Sequence, residues 1–186
     1  MASLIPSLST CTARMNSGVR RLTERLEDML GDGIPLLKRI SCGRDGTEPL
    51  IIRLLTLRDE AREIAEPLSD AHQQGHAWSD MAGICCDYAT MDQCAQALSH
   101  RKLPHQVRKR AGDYRPNRDA INVLTMRVSK GLEFPVVMLP GVGQMPAAGE
   151  DEKEEARVFY VAATRATQRL VIGVSGEGRF GRLLFE

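Results

Sequence analysis

The sequence predicts an α/β fold in which helices cover both faces of a mainly parallel sheet. Short, continuous apolar segments recur along the chain, as is typical of buried strands. They alternate with amphipathic segments of about 10–15 residues that have helical spacing. This alternation is the pattern of βαβ units, in which a crossover helix makes consecutive strands parallel. In such sheets the functional loops are expected at the carboxyl ends of the strands.

The individual elements follow from apolar spacing and from turn residues. A helix over residues 17–30 ends at Gly31-Asp32-Gly33. The charged amphipathic helix over 58–74 contains Pro67, which predicts a kink or two separate pieces. From Gly176 the chain is rich in glycine and is expected to fray. The remaining predictions are strands at 50–55, 80–86, 103–107 (an edge strand), 120–126, 134–139 and 169–174, and helices at 90–101 and 151–166.

Composition limits the classes of function. The 186 residues suffice for one domain, and the net charge of +1 excludes a basic field over the whole surface. Any nucleic-acid binding must therefore be local or shared with a partner domain. No run of about 18 apolar residues predicts a membrane span. The five cysteines form no C-x-x-C pair or zinc-type cluster, so no metal site is expected. Their odd number, without a secretory signal, predicts a cytoplasmic protein with Cys85 and Cys86 in the core.

The first motif that could carry chemistry is the stretch from Thr125 to Phe134. It lies between two predicted strands, and its Ser129-Lys130-Gly131 turn offers a hydroxyl, an ammonium and backbone N–H groups. These groups suit a phosphate. The stretch is not a P-loop, which needs its glycines before Gly-Lys-Ser/Thr, and no P-loop occurs in these 186 residues. Taken alone, the stretch is equally consistent with a solvated turn.

The second motif runs from Glu154 to Ala166. Val158, Val161 and Ala162 recur at helical spacing and therefore predict a core-facing stripe. Arg165 follows at the end of this helix. It is either a cation that interacts with the helix dipole or a guanidinium offered to a phosphate at a domain boundary. Arginine suits the second task because it stays charged and donates a planar fork of hydrogen bonds.

Together, and in this order, the two motifs resemble motifs V and VI of UvrD/Rep-type superfamily 1 DNA helicases. The resemblance is specific over residues 120–174 and looser upstream. It implies a RecA-like three-layer sandwich, the second motor domain of a 3′–5′ DNA helicase or translocase. The family pattern has histidine where this chain has Arg127. A fainter likeness to motif IV surrounds Arg14, although Ala13 stands where the family usually has tyrosine.

The resemblance also implies roles for individual residues. Arg165 would be the arginine finger that reaches the γ-phosphate of ATP. Nucleotide contacts would come from Glu133, Gly131 and Arg14. Single-stranded DNA phosphates would be contacted by Thr125, Arg127, Ser129 and Lys130. ATP and Mg²⁺ would be held mainly by an N-terminal RecA-like domain of the same protein, because the P-loop and the acidic magnesium motif do not occur in these 186 residues.

The expected organisation is a second motor domain over residues 1–176 and a C-terminal tail over 177–186. The accessory insertion that many relatives carry would be reduced to the basic stretch 108–118, which is either a DNA-backbone contact or a solvated loop. One alternative is a free-standing, degenerate module that binds DNA or a partner motor without hydrolysing ATP. Another is an unrelated nucleotide-binding α/β protein, but this would need a phosphate loop of its own.

Overall fold

The computed structural model describes residues 49–113, 115 and 117–185. The predicted helix over 17–30 and the predicted nucleotide contact Arg14 lie outside these residues. The described part forms a three-layer α/β sandwich, as predicted. Its six strands form one sheet, in the order β1-β6-β5-β2-β4-β3. They are β1 Leu50–Arg53, β2 Met81–Cys85, β3 His105–Arg108, β4 Ile121–Thr125, β5 Phe134–Leu139 and β6 Ala166–Val174.

Every strand pair in this sheet is parallel, so all the carboxyl ends lie at one edge and all the amino ends at the other. β2 and β4 are buried along their whole length because helices cover both sheet faces. β1 and β3 are the two outer strands, and both are partly exposed. The predicted edge strand near residue 105 is therefore confirmed.

The helices divide between the two faces. α1 (Leu57–Gln73) and α2 (Tyr88–His100) cover one face, while α3 (Glu152–Ala163) and the short α4 (Arg179–Leu183) cover the other. The first three helices begin at side-chain caps, in which an oxygen accepts a backbone N–H of the first turn. The capping residues are Thr56, Asp87 and Asp151. None of the helices in the described ranges is long and apolar enough to cross a membrane.

A buried carboxylate fixes α1 to the sheet. Glu60 is fully buried, and it accepts hydrogen bonds from the Gly141 backbone N–H and, at 2.6 Å, from the Ser175 hydroxyl. Burial raises the pKa of Glu60, although these hydrogen bonds oppose the shift. A Cβ at Gly173 would lie 2.3 Å from the Glu60 carboxylate, so only glycine fits there. Helix α1 is thereby tied to the carboxyl ends of β5 and β6.

Three local expectations differ from the structure. α1 continues through Pro67 as one helix, so it is not split into two pieces. The chain does not fray from Gly176, because α4 buries Phe180 beside Phe159, with ring centroids 6.3 Å apart. α3 ends at Ala163 rather than at 166, since the Arg165 carbonyl accepts from the Phe134 N–H where the β5–β6 pairing begins. Cys85 is buried as predicted, but Cys86 is only half-buried.

Candidate functional site

The two sequence motifs are joined by one stretch of chain, Met126–Glu133, called here the connecting segment. It leaves β4 at the carboxyl edge of the sheet and enters β5 at the amino edge, so it must pass along a sheet face. Met126, Val128 and Leu132 pack into the core cluster on the α3 side. A turn starts the segment, because the Thr125 carbonyl accepts the N–H groups of Val128 and Ser129.

An ion pair with α3 marks the start of the segment, at the carboxyl edge of the sheet. The Arg127 guanidinium donates to Glu155 Oε1 at 2.6 Å, and the side chains are 62% and 13% exposed. Burial raises the pKa of Glu155; Arg127 opposes this shift, and the neighbouring carboxylates of Glu150 and Glu154 add to it. Arg127 therefore offers a solvent-facing positive charge, held by a single carboxylate of α3.

The other residues predicted to contact DNA at this end differ in accessibility. Lys130 is exposed, whereas Thr125 ends β4 and is largely buried. Ser129 is fully buried, and its hydroxyl donates to the Met126 carbonyl at 2.6 Å. The Ser129 hydroxyl thus holds the turn, and a direct contact with a phosphate would require that turn to open. This differs from the exposed hydroxyl that the sequence suggested.

The last residues of the segment, at the amino edge of the sheet, meet the second motif. Arg165 is half-buried; its Nε donates to the Val161 carbonyl at 3.0 Å and its Nη1 to the Leu132 carbonyl at 3.2 Å. Glu133 is exposed and directly follows Leu132, the residue whose carbonyl anchors the guanidinium. Gly131 is exposed with φ +82, a left-handed conformation that favours glycine. Arg165 and Glu133 thus lie at the amino edge of the sheet, and Gly131 comes two residues before Glu133 in the chain.

The predicted site residues therefore occupy two edges of the sheet. Thr125 and Arg127 lie at the carboxyl edge, where functional loops were expected. Glu133 and Arg165 instead precede β5 and β6 at the amino edge, so the expectation is wrong for them. Two separate ligand contacts are possible, one at each end of the connecting segment. Within the described ranges, no three His, Cys, Asp or Glu side chains come together in a way that could hold a metal ion.

Glu155 is the site residue whose role was not predicted. The sequence placed it in the second motif without a partner, and 28 residues separate it from Arg127. The available signal was its position in the acidic first turn of α3, where carboxylates interact favourably with the helix dipole. That signal explains an acid at this position but does not identify the arginine that it holds.

Comparison with known proteins shows similarity to DNA helicases. Residues 108–177 match the family model of the UvrD-like helicase C-terminal domain. The chain is similar to the ATP-dependent DNA helicase PcrA of Bacillus subtilis (strain 168), with 42% identity over 62 residues, which are 30% of this chain and 8% of that protein. It is also similar to DNA helicase II of Escherichia coli (strain K12), with 39% identity over 61 residues, 29% of this chain and 8% of that protein. The match thus spans less than a tenth of either relative.

A solved structure extends the likeness to the whole fold. The C-terminal domain of a possible DNA helicase from Lactobacillus plantarum WCFS1 superposes with a TM-score of 0.67, covering 90% of this chain and 91% of that one. The identity is 16%, so this match concerns the fold. The family match covers both motifs and the connecting segment between them. Residues 108–177 thus match the UvrD-like helicase C-terminal domain in sequence, and the chain shares the fold of a solved helicase C-terminal domain.

Proposed function

We propose that this domain is the second motor domain of an ATP-dependent DNA helicase or translocase that moves 3′ to 5′. In this proposal, Arg165 is the arginine finger and the Thr125–Lys130 end contacts single-stranded DNA. The observation that carries the proposal is the connecting segment, since a single stretch of eight residues links Arg127 to the anchor of Arg165. The names of the relatives supply the motor class, and the polarity comes from the family resemblance.

At the nucleotide end, the residues present fit a phosphate contact. ATP and Mg²⁺ would be bound mainly by the N-terminal RecA-like domain of the same protein, and bound ATP would supply the phosphoryl group that is transferred to water, whose oxygens carry negative charge that a guanidinium can stabilise. The Leu132 and Val161 carbonyls orient Arg165 at the amino edge of the sheet. A guanidinium held in this way can donate to phosphate oxygens when the two domains close. Glu133 and Gly131 would border the nucleotide there.

At the strand end, Arg127 and Lys130 would neutralise backbone phosphates. Both are exposed, and Arg127 can exchange the Glu155 carboxylate for a phosphate without leaving its position. Closure of the two domains around ATP would pull on Arg165, and the connecting segment would transmit that displacement to Arg127. The segment, which packs into the core through Met126, Val128 and Leu132, would then couple the two ligand contacts, as a translocating motor requires.

The test uses a protein that contains both motor domains. Arg165→Ala is expected to lower ATP turnover by roughly 10³-fold or more, the usual contribution of an arginine finger, while ATP affinity changes little. Arg62→Ala is the matched control, because Arg62 is an exposed, ion-paired arginine on the opposite sheet face. Turnover measured at saturating single-stranded DNA should be unchanged in the control. If Arg165→Ala turned over ATP at the wild-type rate, the role of Arg165 as an arginine finger would be refuted.

The alternative, a free-standing module that binds DNA or a partner motor, makes a different prediction. The purified 186-residue chain should bind single-stranded DNA in both cases, but should show negligible ATP hydrolysis because no P-loop is present in it. Mixing the chain with an ATP-binding motor domain should restore Arg165-dependent turnover only if the chain is a true motor half. Robust DNA-stimulated ATP hydrolysis by the chain alone would contradict both readings.

A further inference from the structure

The cavity beside the outer strand β3 lies apart from both ends of the connecting segment. It has a volume of about 500 Å³, within the range of roughly 300–1,000 Å³ that is typical of small-molecule sites. Strand β3 forms one wall, and described residues of the connection from β3 to β4 form the other. The lining residues are His105, Gln106, Val107, Gly112, Asp113, Arg115 and Arg118.

A buried acceptor in the cavity lining has no partner. Gln106 is only 8% exposed, and its Nε2 donates to Asn122 Oδ1 at 3.1 Å. This bond orients the amide, because Asn122 Nδ2 in turn faces the Ser79 carbonyl at 3.4 Å. The other amide atom, Gln106 Oε1, is buried without a hydrogen-bond partner. Since buried polar atoms are normally paired, a ligand that donates an N–H is the expected occupant.

The rim of the same cavity is positively charged. Arg115 and Arg118 are exposed, and neither has an ion-pair partner within the described residues. The acidic residue of the lining, Asp113, turns its carboxylate to the backbone N–H groups of Lys109 and Arg110, at 2.9 and 2.8 Å. The cavity therefore combines an internal acceptor with two guanidinium groups at its mouth, and these suit an anionic group such as a phosphate.

We propose that this cavity binds one nucleotide unit, with a base N–H donating to Gln106 Oε1 and the phosphate held by Arg115 and Arg118. This inference rests on the proposed function, because a DNA strand is the natural source of the nucleotide. The carboxyl end of β3 lies beside that of β4, with Arg108 paired to Leu124. A strand bound at Arg127 can therefore continue towards β3. Every DNA base carries an N–H donor, so the contact selects a base over an abasic site rather than one sequence.

The experiment compares a fluorescent ten-nucleotide deoxycytidine strand with an abasic strand of the same length, both titrated with the 186-residue chain. The wild-type chain should prefer the strand with bases, and Gln106→Leu should remove about three- to tenfold of that preference. Arg115→Ala with Arg118→Ala should weaken both strands equally and reduce the salt dependence by about 1.4 log units per log unit of salt. Arg58→Ala with Arg62→Ala removes the same charge from exposed positions on α1 and should leave binding nearly unchanged.

Titrations with free deoxycytidine monophosphate and with inorganic phosphate distinguish a nucleotide ligand from a simple phosphate. Saturable binding of the nucleotide, tighter than that of phosphate and lost in Gln106→Leu, supports the cavity even if strands bind elsewhere. If Gln106→Leu does not fold, as its thermal melt will show, the arginine pair carries the test. The cavity proposal is overturned if these variants bind both strands as the wild type does while Arg127→Ala weakens binding, and the proposed function survives that result. If the cavity variants weaken binding and Arg127→Ala does not, the cavity proposal is supported and the Arg127 contact is refuted.

Discussion

The two ends of the connecting segment differ in how they hold their arginines. Arg127 is exposed and faces a carboxylate, a partner that a phosphate can replace. Arg165 is half-buried and bonded to two backbone carbonyls, which fix its position but carry no net charge. A contact that must be released at each step benefits from an exchangeable partner. A contact that must meet a transition state benefits from a fixed one. The difference matches the two roles proposed for the ends.

The largest effect on the link itself is expected from Gly131→Ala. At φ +82 a side chain strains the backbone, although no atom lies within 4 Å of the added Cβ. We expect the free energy of unfolding to fall by about 1–2 kcal/mol. Gly112→Ala is the control, since Gly112 also has open space around it but no positive φ. Equal unfolding midpoints for the two variants in urea would show that the turn at Gly131 is not a constrained part of the link.

A smaller effect is expected from Arg127→Ala on strand binding by the chain. Losing one exposed phosphate contact costs about 1 kcal/mol, so affinity for single-stranded DNA should fall about fivefold. The slope of log affinity against log salt should become shallower by about 0.7. Fluorescence anisotropy at several salt concentrations measures both quantities. A slope identical to that of the wild type would mean that Arg127 meets no phosphate, and the contrast between the ends would lose its basis.

The smallest effect is expected from Glu155→Gln, which removes the competitor for Arg127. Strand affinity should rise about twofold, because exposed ion pairs contribute less than about 1 kcal/mol. In the wild type the raised pKa of Glu155 means that it takes up a proton at a higher pH than an ordinary glutamate. Strand affinity should therefore rise as pH falls through the window just above the ordinary glutamate pKa. In Glu155→Gln this contribution to the pH dependence should be absent.

The same raised pKa has a consequence for stability with a defined sign. The folded state binds the Glu155 proton more tightly than the unfolded state does, so the contribution of Glu155 to stability decreases as pH rises through the folded pKa. The Glu155→Gln variant should not show this decrease in stability with rising pH. Unfolding midpoints measured across this pH window should converge for the two proteins at the acidic end. Parallel pH profiles would mean that Glu155 titrates as an ordinary surface glutamate.

The sequence predicts the sheet better than it predicts the contacts between its parts. Strand β5 was predicted at its observed bounds, because its apolar run is continuous and lies between two motifs. Glu60 looked like one more charge on an amphipathic helix, and its partners Gly141 and Ser175 lie 81 and 115 residues away. No local pattern carries such a pairing. Arg165 was assigned to the helix predicted over 151–166. The start of β6 directly after Arg165 depends on pairing with β5, which no local sequence pattern shows.

The candidate site shows the same limit. The motif residues could be named from the sequence, but not their distribution over two edges of the sheet, which depends on where β4 ends and β5 begins. Ser129 illustrates the consequence, since its motif position suggested an exposed hydroxyl while the fold turns that hydroxyl to the Met126 carbonyl. From the sequence, Gln106 was only one residue of a predicted edge strand. The structure shows that its amide is oriented by Asn122 on the neighbouring strand.

One measurement tests most directly whether the two ends serve different ligands. Single-stranded DNA affinity without nucleotide and ATP turnover at saturating DNA are determined for Arg127→Ala and Arg165→Ala in a protein with both motor domains. Arg127→Ala should bind DNA more weakly but keep its turnover once DNA is saturating. Arg165→Ala should bind DNA within about twofold of the wild type and lose its turnover. If both variants lose the same property to the same extent, the two ends form one contact and the account is contradicted.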